Sequence, residues 1–101
     1  MKVLERLIQE IYPGKWEELE ALDAKYNMVE AKLGYPPKKR YQGMAGTLTT
    51  NHLVIEREWE SMAALEAVFE KAMAHPDWIQ ANADGASIIK SNTWELFIVL
   101  G

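Results

Sequence analysis

The clearest pattern of apolar positions lies between Lys15 and Gly34. From Trp16 to Leu33 the apolar residues recur every three or four positions, and glutamates and lysines fill the places between them. This spacing is that of one face of an α-helix, so the pattern predicts an amphipathic helix over residues 15–33. Gly34 and the two prolines after Tyr35 end it, because glycine favours the left-handed C-terminal conformation and proline has no N–H.

Four other segments have the character of β-strands. Residues 2–12 mix apolar and charged side chains on both faces and stop at Pro13-Gly14. Residues 39–49 and 52–59 predict a hairpin with its turn at residues 49–51, and Gly43 and Gly46 indicate bulges or bends in its first arm. Residues 93–100 form an apolar run that predicts a last strand.

The stretch after the third strand predicts a helix in two pieces. Ser61 is a suitable N-cap, and apolar residues at helical spacing follow from Met62 to Met73. Pro76 fits the first turn of a second piece over residues 76–83. The chain then forms one domain, residues 1–101, with the order β-α-β-β-α-β. We expect an α+β, ferredoxin-like fold, in which helices cover one face of a four-stranded antiparallel sheet.

The face of the sheet that the helices leave open determines the expected assembly. In strand 52–59, one parity carries Leu53, Ile55, Arg57 and Trp59. If these apolar residues lie on the open face with part of the last strand, that face is too apolar for a monomer. A homodimeric α/β barrel, with the two open sheet faces packed together, is then expected.

The same alternation allows the opposite orientation of this strand. Glu56 and Glu58 would otherwise point toward the helices, where unpaired carboxylates are costly. In the reversed arrangement either carboxylate, together with His52, becomes an acid–base candidate in a polar cavity. The sequence pattern leaves both orientations open.

Composition and charge exclude several classes of function. The net charge is −4, and the only basic cluster is residues 38–40, so we expect no nucleic-acid binding. There is no run of about 18 apolar residues, so no membrane span is expected. Without cysteine, and without an apolar leader, a cytoplasmic location is the expectation.

Three short motifs resemble the dimeric α/β-barrel superfamily, which includes NIPSNAP-type proteins and antibiotic-biosynthesis monooxygenase-like domains. They are Tyr-Pro-Gly-Lys-Trp-Glu-Glu at residues 12–18, Val-Ile-Glu-Arg-Glu-Trp-Glu-Ser at residues 54–61 and Ala-His-Pro-Asp-Trp at residues 74–78. The resemblance implies a cavity between the sheet and the helices. For some members it also implies cofactor-independent oxidation.

No cofactor or metal is expected. In the haem-degrading members of this superfamily a histidine near residues 78–82 binds the iron, and here that segment has none. His52 and His75 are not at a metal-ligand spacing, and no cysteine can assist them. The motifs of serine hydrolases, P-loop proteins and dinucleotide-binding proteins are also absent from the sequence.

Five residues are the candidates for ligand binding. The resemblance places Trp59 in the cavity, with Trp78 as a second wall, and Arg57 and Asn82 would steady an anion. Tyr41 would supply a phenol to the same cavity. The expected function is a small-molecule-binding protein, or a cofactor-independent monooxygenase-like or isomerase-like enzyme, for an apolar, aromatic or polyketide-like compound. The alternative is a non-catalytic dimeric module whose cavity is filled by its own side chains, these residues serving only in packing.

Overall fold

A computed structural model describes all 101 residues of the chain. Its elements, in chain order, are β1 (Val3–Ile11), α1 (Trp16–Leu33), β2 (Lys38–Gln42), β3 (His52–Trp59), α2 (Met62–Ala74), α3 (Pro76–Gly85) and β4 (Ile89–Ile98). The strands form one antiparallel sheet in the order β2-β3-β1-β4. This is the predicted ferredoxin-like arrangement. None of the helices is long and apolar enough to cross a lipid bilayer.

The residues that begin and end the helices act as the sequence predicts. Gly34 closes α1 in the left-handed conformation with φ 85°, and its N–H donates to the Glu30 carbonyl. The Ser61 hydroxyl accepts the Ala64 N–H at 3.1 Å and caps α2. His75 separates α2 from α3, and its Nδ1 accepts the Asp77 N–H at 3.1 Å. His75 is therefore the N-cap of α3.

Two strands differ in extent from the prediction. β2 ends at Gln42, and residues 43–51 form a loop in which a Cβ on Gly43 would lie 2.1 Å from the Thr49 carbonyl oxygen. Gly43 therefore permits a close approach of two backbones in a loop and does not mark a bulge. β4 begins at Ile89, earlier than predicted, because β1 offers it a hydrogen-bonding partner along nearly its whole length.

The helices cover the face of the sheet that carries Leu53, Ile55, Arg57 and Trp59. Leu53 and Trp59 are each 4% exposed, and Ile55 packs against the main core cluster. The expectation that these apolar residues form the open face is therefore wrong. The reversed orientation holds because burying the apolar side chains under the helices removes more apolar surface from water.

The two glutamates of β3 consequently lie on the open face of the sheet. There Glu56 accepts a hydrogen bond from Arg6 Nε at 3.0 Å, and Glu58 lies 3.3 Å from Lys2 Nζ. Each carboxylate has a cationic neighbour and access to solvent. They are part of the sheet surface and do not line a polar cavity.

A network of buried charges fastens α1 to the β2 edge of the sheet. Lys38 Nζ lies 2.7 Å from Asp23 Oδ1 and 3.1 Å from Glu30 Oε1. Arg57 Nη2 lies 2.6 Å from the same glutamate oxygen, in an ion pair that does not meet hydrogen-bond geometry. At the solvent side Arg40 binds Glu20 through both terminal nitrogens. Three cations from the sheet therefore face three carboxylates of α1.

Neutralising Glu30 tests how strongly this network stabilises the fold. We expect Glu30→Gln to lower the free energy of unfolding by about 3 kcal/mol, because it leaves buried cations without their shared anion. Glu20→Gln is the matched control, since the Glu20 side chain is 59% exposed; exposed pairs contribute about 1 kcal/mol or less. Urea denaturation followed by circular dichroism measures both. Equal losses of unfolding free energy in Glu30→Gln and Glu20→Gln would contradict the expectation that the buried ion pairs contribute more than the exposed one.

Candidate functional site

A cavity of about 350 Å³ lies between the sheet and helices α1 and α3. Nine of its fifteen lining residues are hydrophobic. They come from both layers of the fold, with Leu19 and Leu22 on α1, Trp78 on α3, and Leu53, Ile55 and Ile89 on the sheet among them. The cavity is open to solvent on one side, where the exposed residues Asn82, Ala86 and Asn92 lie. Its volume is in the range of about 300–1,000 Å³ that is usual for small-molecule sites.

Small residues on and after α3 keep this space open. Ala81 is buried in the core, and Gly85 faces α1 and β4 so closely that a Cβ would lie 3.3 Å from Leu22 and 3.5 Å from Ile89. Ala86 continues this surface at the end of the helix. Larger side chains at Gly85 and Ala86 would reduce the cavity volume.

The polar side chains of the cavity are grouped in pairs. On the sheet, Gln9 Nε2 donates to Asn92 Oδ1 at 2.9 Å. On the helices, the Tyr26 hydroxyl donates to Asn82 Oδ1. The remaining pair is Lys38 with Asp23, the inner part of the charge network. The cavity thus contains amides, a phenol and one compensated ion pair.

Tyr26 presents a protonated phenol to the cavity across the neutral pH range. Burial raises its pKa to about 12, and the nearby carboxylates of Glu30 and Asp84 act in the same direction. A neutral phenol can donate a hydrogen bond to a carbonyl or enolate oxygen. Tyr26 also packs edge-on against Trp78, with ring centroids 5.2 Å apart.

A series of aromatic rings leads from the cavity into the filled half of the core. Trp78 stacks on Tyr35 at 5.2 Å between centroids, and Tyr35 meets the edge of Trp59 at 5.5 Å. Trp78 is the only one of these three rings that lines the cavity. The series therefore forms the partition between the hollow half and the packed half of the layer beneath the helices.

Two of the five predicted ligand-binding residues, Trp78 and Asn82, line this cavity. Arg57 and Trp59 lie on the same face of the sheet but beyond the aromatic partition. Tyr41 lies on the opposite face, since it pairs with Val54 and contributes to a surface groove with Arg6 and Ile8. The prediction that Tyr41 reaches the same cavity is therefore wrong, because its position in β2 has the other parity.

Arg57 and Trp59 are fully engaged where they are. Arg57 pairs with Glu30, donates from Nε to the Pro36 carbonyl at 3.3 Å and lies 4.6 Å from the centre of the Tyr35 ring. The Trp59 indole donates to Glu5 Oε1 at 2.9 Å, and the Trp94 indole donates to the other oxygen at 2.8 Å. The Glu5 contacts join β3, β1 and β4. Arg57 is held against α1 and Pro36 and does not line the cavity, so it is not placed to steady an anion there.

Sequence reasoning missed five polar residues of the cavity: Gln9, Asp23, Tyr26, Lys38 and Asn92. Gln9 carried a usable signal, because it shares a strand face with Val3, Leu7 and Ile11 and is the one amide among them. Tyr26 lies in the apolar stripe of α1, a position that predicts a core residue. Neither histidine lines the cavity, and His52 Nδ1 instead accepts the Thr49 N–H at 2.9 Å. No group of three or more metal-ligating side chains is found in the structure.

Comparisons identify the fold through solved structures. No protein-family model and no curated protein matches this chain in sequence. A NIPSNAP family protein from Agrobacterium tumefaciens aligns with a TM-score of 0.81 and 16% identity, over 98% of this chain and 86% of that one. A NIPSNAP-like domain protein from Burkholderia xenovorans aligns with a TM-score of 0.80 and 12% identity, over 98% and 85%.

A third similar structure is that of an enzyme. A variant of SnoaB, a cofactor-independent oxygenase from Streptomyces nogalater, aligns with a TM-score of 0.72 and 15% identity, over 97% of this chain and 92% of that one. The chain therefore has the fold that NIPSNAP proteins and this oxygenase share, as the sequence resemblance implied. At these identities the likeness extends to the fold alone.

Proposed function

We propose that this protein binds a small, mainly apolar compound in the cavity between the sheet and helices α1 and α3. The observation that carries the proposal is the cavity itself, about 350 Å³ with a mostly hydrophobic lining and several polar groups directed at it. Such a combination is typical of ligand sites, in which apolar walls supply affinity and a few polar atoms fix the orientation. A self-filled interior, the alternative function, would leave much less space.

Flat aromatic compounds fit the lining best. Trp78 offers an aromatic surface on one side, and aliphatic side chains such as Leu22 and Ile55 form the others. The indole also provides a spectroscopic reporter, because Trp78 is the one tryptophan of four that lines the cavity.

The proposed enzymatic form of this function is cofactor-independent oxygenation of a phenolic or enolisable compound. The SnoaB likeness suggests the chemistry, and the neutral phenol of Tyr26 supports it, because on substrate binding its hydroxyl would turn from Asn82 Oδ1 to donate to a developing oxyanion. In this reaction the substrate's own anion reduces O₂, which adds to carbon as a hydroperoxide. Loss of water then leaves one oxygen atom in the product as a ketone.

We also propose that the protein is a homodimer joined through the open sheet faces. The open face carries Leu4, Ile8, Val54 and the ring of Phe97, the last lying 4.9 Å from the Arg6 guanidinium. Tyr41 extends this apolar surface at the β2 edge and is 48% exposed. Packing two such faces together would remove these side chains from water.

Binding to the cavity predicts selective perturbation of one tryptophan. Naphthalene added to ¹⁵N-labelled protein should shift the indole N–H signal of Trp78 saturably and leave that of Trp94 in place. Ala86→Phe should weaken binding about tenfold or more, because the ring occupies the cavity mouth. Ala83→Phe, an exposed position of α3 outside the cavity, is the matched control. Equal effects of the two variants, or no saturable shift, would overturn the proposal.

Oxygenation predicts oxygen uptake by protein free of metals and flavin. With 1,5-dihydroxynaphthalene as the probe, the protein should accelerate O₂ consumption above the protein-free rate. Tyr26→Phe should lower kcat about tenfold or more, since it removes a donor to the developing oxyanion. Tyr12→Phe, at an exposed tyrosine outside the cavity, should not. If naphthalene binds but no oxygen is consumed, the proposed binding function stands and the proposed enzymatic function is contradicted.

The dimer proposal predicts a particle of twice the 11.5 kDa chain mass. Val54→Glu should shift it toward the monomer, because the carboxylate would be buried at the interface. Ala83→Glu on the outer side of α3 should leave the mass unchanged. Sedimentation equilibrium measures both, and a monomeric wild type at micromolar concentration would contradict the proposal.

A further inference from the structure

Gln9 and Asn92 form a hydrogen-bonding platform on the sheet side of the cavity. The two residues are direct partners in the β1–β4 ladder, and Gln9 is only 8% exposed. Their side chains share one hydrogen bond, from Gln9 Nε2 to Asn92 Oδ1. Gln9 Oε1 and Asn92 Nδ2 bind no other protein group, although both residues line the cavity.

In the empty cavity this capacity is met by solvent, because only Arg40 Nε and Arg57 Nη2 are fully buried without a hydrogen-bond partner and Asn92 is an exposed residue. A primary amide has two donors and two acceptor lone pairs, and burying them without partners costs free energy. The neighbours of Gln9 in the cavity wall include Leu7 and Leu53, which offer it no hydrogen bond. The free acceptor and the free donor therefore belong to residues at the wall and the mouth of the cavity, where a bound ligand would replace solvent.

The chemical character of the platform does not depend on how the amides are oriented. As described, it presents the Gln9 oxygen as an acceptor and the Asn92 NH₂ group as a donor. If both amides were rotated by half a turn, the Gln9 NH₂ would be the donor and the Asn92 oxygen the acceptor. Each arrangement offers one donor beside one acceptor.

We infer that this platform selects uncharged ligands that carry an adjacent donor and acceptor, such as a lactam or a hydroxyl group beside a carbonyl. The inference rests on the proposed binding function and specifies its ligand class. A carboxylate has only acceptor oxygens, and one of them would face the amide oxygen of the platform, which is also an acceptor. A carboxylate should therefore bind poorly. The cavity also offers it no free cation, because Lys38 is already held by Asp23 and Glu30.

A purely structural role for the pair makes a different prediction. If the amides serve only to join β1 to β4, ligands should bind with no regard to their hydrogen-bonding groups. Removing either amide would then alter the stability of the fold and leave ligand selectivity as it was. Selectivity between matched ligands therefore separates the two roles.

Two isomeric probes provide the comparison in the wild-type protein. 3-Methyl-2-quinolinone has a lactam N–H beside its carbonyl, whereas 1-methyl-2-quinolinone has the same size but no donor. The first should bind about tenfold more tightly, as expected when a site built for a hydrogen bond meets a ligand that lacks it. 2-Naphthoate should bind more weakly than 3-methyl-2-quinolinone, and naphthalene reports whether the cavity binds aromatic compounds at all. Dissociation constants come from the shift of the Trp78 indole signal.

Two variants connect the preference to the platform. In Gln9→Leu and in Asn92→Val the ratio of the two methylquinolinone dissociation constants should fall to about one, because the paired donor and acceptor are lost. Asn92 is exposed on the edge strand, so Asn92→Val should fold even if Gln9→Leu does not, and its ligand ratio then tests the inference. Gln80→Leu, at an exposed glutamine outside the cavity, should keep the tenfold ratio.

The outcomes separate this inference from the proposed function. If naphthalene binds but the two methylquinolinones bind equally to wild type, the inference fails and the binding function stands. A preference that persists in both variants also overturns it, since another group would then be responsible. If none of the probes binds, the proposed function fails and the inference fails with it.

Discussion

The ion pairs between α1 and the sheet are the constraint on which the rest of the structure depends. Lys38 and Arg57 are buried cations, and a buried charge requires a partner at close range. Glu30 serves both, so α1 can neither slide along the sheet nor rotate about its axis without leaving a cation unpaired. The position of α1 over the sheet is thereby fixed by electrostatics as well as by apolar packing. The cavity lies between this fixed helix, α3 and the sheet.

The layer beneath the helices is consequently divided into two halves with different properties. On one side of the aromatic partition Trp59 and Tyr35 fill the volume with large rings. On the other side Gly85 and Ala86 line the cavity and leave it open. Trp78 belongs to both halves, so its ring is held by the packed side while one surface remains available to the cavity. A rigid wall of this kind suits ligand binding, since little conformational entropy is lost on association.

The sequence predicted the elements well and the orientation of one strand poorly. The apolar spacing of α1 and the stop at Gly34 are local signals, and so are the caps at Ser61 and His75. The face of β3 depends on what the helices bring to it. Arg57 looked like a group that needs solvent or a ligand, and only the position of Glu30 in space shows why it can be buried. Spacing alone could not reveal that pairing.

The candidate site was predictable only in part for a similar reason. Trp78 and Asn82 were found because they lie one turn apart on a short helix beside the cavity. Tyr41 was misplaced, since one residue along a strand changes the face of the sheet that a side chain occupies. Gln9 and Asn92 are far apart in the chain and become neighbours only through the β1–β4 ladder. That juxtaposition is a property of the topology and has no signature in either segment.

The two outer strands leave the sheet with edges of very different kinds. β2 is only five residues long, and its short length and the exposed charge of Lys39 discourage another strand from pairing with it. β4 is twice as long, and its exposed side chains include Trp94, Phe97 and Ile98. Its outward N–H and C=O groups form a template for a further strand. Aggregation through strand pairing would therefore begin at β4 and not at the β2 edge.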